Sequence, residues 1–245
     1  MGMGGRSEGS GLKMLVIYGS QTGSSRMIIS KMAEHWKSKG VVESVDIHEG
    51  NHIAHETEEL SQLVEQYDVM VVCTSSFGDG DPPDNYGEFL LKLLTSSEEN
   101  GSCLKGMQHA VLGEGSSVYS ETFQNCPRLT DKYLEACGSR RFVPRHETDV
   151  GGEEEESINR GLFRDAVSAA LQGGKLPDAA SPPAAEWGKP RASHDQPRDK
   201  ITLKTVTDLA GKRGQSLGQI LVPATVALVA ISAYVYTQFF MESDA

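Results

Sequence analysis

The sequence predicts an α/β domain built on a doubly wound parallel sheet, and three observations carry that expectation. Short apolar runs suited to buried strands alternate strictly with longer segments of helical periodicity. The first, third and fourth runs are predominantly apolar, as strands covered by helices on both faces are. The turn-rich segments gather at the C-terminal ends of the first, third and fourth runs, where an open parallel sheet holds its ligand near the reversal of strand order.

Taken in order, residues 14–18 read as the first strand and 24–38 as the helix after it. A second strand over 42–47 leads to a helix over 57–66, and a third over 68–75 to a helix over 84–94. A fourth strand over 109–113 precedes a helix over 124–136, and a fifth over 141–144 precedes a last helix over 157–171. The predicted domain is 14–172. Residues 1–13, rich in Gly and Ser, are expected to be disordered.

Beyond the domain, residues 173–216 are rich in Pro, Gly, Ala and mixed charge and read as a flexible linker. Residues 217–240, LGQILVPATVALVAISAYVYTQFF, contain no charged side chain. At about 1.5 Å per residue they exceed the roughly 30 Å of a bilayer core, so they read as a transmembrane helix, with 241–245 as a short tail. Lys212 and Arg213 before this segment place the N-terminal domain in the cytosol. A segment so close to the last residue inserts after translation, as in tail-anchored proteins. The acidic tail favours the endoplasmic reticulum, with the mitochondrial outer membrane as the alternative.

The 245 residues carry a formal charge of -11, which excludes nucleic acid as a partner, since phosphate backbones require clustered Lys and Arg. The excess is concentrated in 14–172, with 26 acidic and 13 basic side chains, whereas 173–216 has 5 acidic and 8 basic. Cys73, Cys103, Cys126 and Cys137 form no C-x-x-C pair, and no secretory signal precedes them, so they read as reduced thiols facing the cytosol. No metal site is expected. His48, His52 and His55, with Glu49 and Glu56, read as a solvated loop after an edge strand.

The loop after the first strand, GSQTGSS at 19–25, puts small and hydroxyl residues between a buried strand and a helix start, which lets backbone amides approach an anion. It lacks the G-x-x-x-x-G-K-S/T pattern of a triphosphate-binding loop. The other two loops read SSFGDGDPPDN at 75–85 and GEGSSVY at 113–119, each with one aromatic residue among glycines.

These three segments, in this order and at these strand ends, resemble the FMN-contacting loops of flavodoxins. The chain is most similar to the flavodoxin-type domain of NADPH-cytochrome reductases and other diflavin reductases. The resemblance spans 14–171 and implies a five-stranded sheet of order 2-1-3-4-5 with FMN as cofactor. It implies that Ser20, Gln21, Thr22, Gly23, Ser24 and Ser25 hold the phosphate. Ser75, Ser76, Phe77 and Gly78 would form the second contact, with Phe77 as the inner aromatic and the Gly78 carbonyl turning toward N5 of the one-electron-reduced ring. Gly113, Glu114, Gly115, Ser116, Ser117, Tyr119 and Phe123 would form the third, with Tyr119 stacking on the outer face. Gly78, Gly80, Gly113 and Gly115 would let the backbone meet the flavin edge, and Asp149 matches an acidic residue near the cofactor.

Two departures stand out. Glu114 occupies a position where the family has Leu or Cys, Ser116 one where it has Asn or Asp, and Tyr119 and Phe123 are spaced one residue wider than in many members. A Glu114 carboxylate beside the ring would disfavour an anionic reduced flavin.

The resulting expectation is a membrane-anchored, FMN-binding electron-transfer protein. It would pass single electrons from a separate NAD(P)H-dependent flavin reductase to a haem or iron-sulfur protein, with no catalytic acid, base or nucleophile of its own. The alternative is a flavin-free flavodoxin-fold scaffold or binding protein at a membrane.

Overall fold

The computed structural model describes residues 11–78, 80–119, 122–150, 153–172 and 176, with side chains of the last helix described from 157 onward. The predicted anchor over 217–240, the tail after it, and the linker apart from Leu176 lie outside the described residues, as do residues 1–10. Among the described residues no helix is long and apolar enough to cross a membrane.

The elements are β1 (Lys13–Tyr18), α1 (Ser24–Ser38), β2 (Ser44–Glu49), α2 (Gly50–Glu56), α3 (Ser61–Gln66), β3 (Val69–Ser75), α4 (Gly87–Glu99), β4 (Gln108–Gly115), α5 (Asn125–Ala136), β5 (Arg140–Arg141), β6 (His146–Asp149) and α6 (Glu153–Gln172). All ladders between strands are parallel, in the order β2-β1-β3-β4-β5, with β6 also paired to β4. The apolar runs are explained by burial on both faces. In β1, Met14, Val16 and Tyr18 pack toward α1 and α6 with Ile29, Trp36 and Phe163, while Leu15 and Ile17 pack toward α2 to α5 with Ile53, Phe89 and Leu129. Trp36 closes the first layer: its indole N–H donates to the Arg164 carbonyl at 3.0 Å and its ring meets Phe163 edge-on.

Four elements differ from the sequence expectation in kind or by three residues or more, one being the last helix, which begins at Glu153 rather than at 157. The strand expected at 141–144 is two short strands on the same edge of β4. Arg140 and Arg141 pair with Gln108 and His109, and His146 to Asp149 pair with Leu112 to Gly115. Pro144 lies between them and has no N–H to give the ladder. The helix expected at 57–66 is only its second half, α3, and α2 precedes it. GNHIAHE contributes few apolar side chains to the core, so periodicity missed α2. It is held by α4 instead, where the Lys92 ammonium donates to the carbonyls of Ala54 and Thr57 at its C-terminal end. The helix expected at 84–94 begins three residues later, after Pro82, Pro83 and the fully buried Tyr86.

The histidines following β2 consequently sit on a strand end and a helix. The rings of His48 and His52 stack at 4.7 Å, and His55 pairs with Glu88. Among the described residues no group of three such side chains is placed to hold a metal ion.

Candidate functional site

The first loop turns sharply out of β1. The Gly19 N–H donates to the Cys73 carbonyl at 2.9 Å, and a β-carbon there would overlap Thr74 and the Tyr86 ring, so the chain leaves the sheet at a residue that must lack one. The Ser20 hydroxyl then accepts from the amides of Gly23 at 2.9 Å and Ser25 at 3.3 Å, folding the loop onto the start of α1. Gly23 caps α1 in the left-handed region (φ 90°), with no side-chain cap and no acidic residue in the first turn. Apart from the Gly23 and Ser25 amides that Ser20 takes, the helix presents its positive end with no charge set against it. Gln21, Thr22 and Ser24 are exposed around it, and the Thr22 and Ser24 hydroxyls lie 3.1 Å apart.

Ser25 does not belong to this ring of donors. It is buried, and its hydroxyl is turned inward to the Cys73 thiol, which burial and the nearby Glu114 carboxylate push well above the usual thiol range.

The second loop is tied to the first. Gln21 and Asp84 exchange two hydrogen bonds, at 3.0 and 3.1 Å, and the Ser20 N–H donates to Asn85 Oδ1 at 3.0 Å. Its tip is a closed turn in which the Phe77 carbonyl accepts from the amides of Gly80 at 3.1 Å and Asp81 at 2.8 Å, with Gly78 and Gly80 left-handed at φ 54° and 92°. A β-carbon at Gly78 would meet nothing within 4 Å, whereas Phe77 is 53% exposed. Ser76 faces inward, its hydroxyl accepting from the Cys126 N–H at 2.9 Å. Ser75 ends β3.

In the third loop Val118 and Tyr119 are 80% and 67% exposed. Asp149 is bound into this loop, where its carboxylate accepts from the Ser117 N–H at 2.9 Å, and the Val150 N–H donates to Gly115 at 2.7 Å. The Tyr119 N–H donates to the Ser116 carbonyl at 3.1 Å, which closes the turn.

Four expected contacts are placed differently. Gly113 is buried, and a β-carbon there would overlap the Gln124 carboxamide; at Gly115 it would lie 3.2 Å from the Phe123 ring. These glycines make room for α5 and its entry, and Phe123 packs against the loop backbone. Glu114 is not beside an open slot either: it is 4% exposed and its carboxylate is clasped by Arg160 of α6. A carboxylate entering the layer between sheet and helix requires a cation there, and α6 supplies it.

A helix start ringed by exposed hydroxyls, a turn of left-handed glycines and two exposed aromatic side chains at adjoining strand ends fit the phosphate and flat ring of FMN. The Flavodoxin family profile matches residues 16–161, more than half of the chain, and the chain belongs to that family. FMN is its cofactor.

The similarity extends to the FMN domains of reductases. The chain is 32% identical over 161 residues to the bifunctional cytochrome P450/NADPH-P450 reductase of Bacillus cereus, covering 64% of this chain and 14% of that protein. It is 35% identical over 135 residues to the methionine synthase reductase of Caenorhabditis elegans, covering 55% and 18%. It is 33% identical over 153 residues to the NADPH-cytochrome P450 reductase of Homo sapiens, covering 61% and 21%. The chain therefore spans about a fifth or less of the length of these relatives. Among solved structures, a cysteine variant of the flavodoxin from Pseudomonas aeruginosa superposes with a TM-score of 0.51 at 18% identity, over 66% of this chain and all of that one, which shows the shared fold.

Asn85, Asp84, Gln124, Asn125 and Arg160 were not among the expected site residues. Each acts through a partner distant in sequence, so no local pattern marks it.

Proposed function

We propose that the chain is a membrane-anchored electron carrier that takes electrons from a separate NAD(P)H-dependent flavin reductase and passes them singly to a haem or iron-sulfur protein. The observation that carries this reading is the convergence of the uncapped α1 start with two loops whose aromatic side chains stand in solvent. FMN supplies reversible one-electron chemistry. The chain's own residues do the rest: Thr22, Ser24 and the open amide at the start of α1 hold the phosphate, Phe77 and Tyr119 cover the ring faces, and Gly78 leaves its backbone free to turn. The exposure of both aromatics favours transfer by surface contact.

A haem acceptor is supported by two of the relatives, which are cytochrome P450 reductases by name. A reductase as the source of electrons is supported by the same two relatives, which are NADPH-dependent reductases by name. The acidic excess of 14–172 steers the head toward basic partners. A flexible linker of this length gives it an r.m.s. reach of about 35 to 40 Å. We place the anchor in the endoplasmic reticulum because residues 241–245 are acidic.

Full-length protein purified in detergent tests the carrier. Flavin absorbance near one equivalent, reduction by an NADPH-dependent flavin reductase and reoxidation by cytochrome c are the expected results. A folded, colourless protein would support the scaffold instead. For the anchor, full-length protein should resist carbonate extraction, and a glycosylation acceptor appended after Ala245 should be modified. Extraction by carbonate overturns the membrane assignment, and an unmodified acceptor on membrane-bound protein redirects it to mitochondria.

A further inference from the structure

The entry into α5 carries a feature that the phosphate and ring contacts do not use. Gln124 is the one non-glycine residue with positive φ among those described, at φ 60° and ψ 16°, and it is fully buried. A residue with a β-carbon is strained there and stays only where its surroundings hold it. What holds it is its own carboxamide: Nε2 donates to the Thr148 carbonyl at 2.8 Å and the Gly113 carbonyl at 3.2 Å. One side chain thus joins the ends of β4 and β6, from which the Tyr119 and Asp149 loops depart. Its Oε1 has no hydrogen-bond partner, so the carboxamide is held from one side only.

The next two residues reach the opposite loop. Asn125 Nδ2 donates to the Gly80 carbonyl at 3.0 Å, and the Cys126 N–H donates to Ser76 Oγ at 2.9 Å. A β-carbon at Gly80 would lie 3.0 Å from Thr122 and 3.2 Å from Asn125 Nδ2, so the Phe77 turn sits directly against the entry to α5.

We propose that Gln124 and Asn125 are positioning residues that clasp the two aromatic-bearing loops to one helix start, fixing the slot between them and thereby the affinity and potentials of the flavin. The proposal rests on the FMN reading of the site. Neither residue need touch the ring. Asn125 acts through the Gly80 carbonyl on the turn whose tip is Gly78, and Gln124 acts through Gly113 and Thr148 on the loop that carries Tyr119. Because both leave one rigid element, movement of one loop is resisted by the other.

The test uses full-length protein carrying Asn125→Asp or Gln124→Met, which remove the amide donor at similar volume. A third variant, Gly80→Ala, pushes the turn from α5 without removing a hydrogen-bonding group, and serves if either of the others fails to fold. FMN dissociation constants, flavin midpoint potentials and amide hydrogen exchange are measured, the last with and without FMN. Asn125→Asp should exchange faster at Gly80 and Asp81, and Gln124→Met at Tyr119 and Val150. Each should bind FMN roughly five- to a hundredfold more weakly, the range of a buried group left unpaired, with displaced potentials. Folded variants with wild-type dissociation constants and potentials overturn the clasp while leaving FMN binding intact. Wild-type protein that binds no FMN overturns the FMN reading, and the clasp with it.

Discussion

Arg160 of α6 grips Glu114 at the end of β4 with two guanidinium nitrogens, Nε donating to Oε1 at 3.0 Å and Nη2 pairing with Oε2. The pair lies under the third loop, so the carboxylate that departs from the family pattern is compensated and does not act on the flavin as a bare charge. Arg160→Leu leaves the charge buried and unpaired, which costs on the order of 3 to 5 kcal/mol, while the double replacement by Leu recovers much of it. Urea unfolding of the two variants measures this. In protein that still binds FMN, uncovering Glu114 should lower the flavin potentials, and Glu114→Leu, which uncovers Arg160, should raise them. Equal potentials in all variants would mean that the pair is electrostatically invisible to the ring.

Phe77 and Tyr119 are large side chains exposed in a domain that buries most of its other described aromatic rings, and a bound ring would cover them. Tyr119→Ala should remove stacking worth about 0.5 to 1.5 kcal/mol beyond area burial, weakening FMN and shifting its potentials. Stability without FMN should barely change, since the exposed ring packs on little. Isothermal titration of each single variant checks the claim, and unchanged affinity in both removes these residues from the site.

Thr22 stands exposed at the uncapped start of α1, so Thr22→Asp should leave stability within about 0.5 kcal/mol. It fills the anion position with a carboxylate. Two unit charges 4 Å apart at an effective dielectric of 20 repel by about 4 kcal/mol, enough to weaken FMN far more than roughly tenfold. Riboflavin, which has no phosphate, should be insensitive to the substitution. Comparing the two ligands separates the phosphate contact from general disruption of the loop.

The sheet was legible because burial on both faces writes itself into continuous apolar runs, as in Met14 to Tyr18 and Val69 to Cys73, whereas its strand order followed only from the resemblance to flavodoxins. The turn after β1, with its exposed Gln21, Thr22 and Ser24, was legible because these residues are contiguous. Two kinds of feature were not. Helix α2 depends on Lys92 and Glu88 of α4 more than on its own seven residues. The placements of Glu114, Gln124 and Ser25 are decided by which way a side chain turns, toward Arg160, Thr148 and Cys73, and spacing along the chain does not encode that direction. The broken fifth strand combines both cases. Its halves are fixed by an ion-pair network in which Arg128 and Arg145 bind Glu147 while Arg141 and Arg145 bind Asp131.

The same edge is sensitive to acid at one residue in particular. His146, the first residue of β6, is fully buried with its ring 5.3 Å from Phe163, and burial pushes its pKa down to about 4 from an ordinary 6.5. His109 is also shifted down by burial, although Asp131 beside it opposes the shift, and Asp131 itself is held below the usual carboxylate range by His109 and its two arginines. All three groups bind fewer protons folded than unfolded, so acid destabilises the fold. For His146 the stabilisation is complete above pH 6.5 and is lost as pH falls toward about 4, amounting to roughly 3 kcal/mol across that window. Urea midpoints should therefore decline between pH 7 and 4.5, ahead of the carboxylate range. His146→Gln should start less stable at pH 7 and lose roughly 2 to 3 kcal/mol less over the same interval, because the variant has no proton to gain there. In the wild-type protein the His146 ring proton resonance should stay fixed through pH 6.5. A titration centred near 6.5, or an unchanged slope in His146→Gln, would show the imidazole to be open to solvent at the β6 edge.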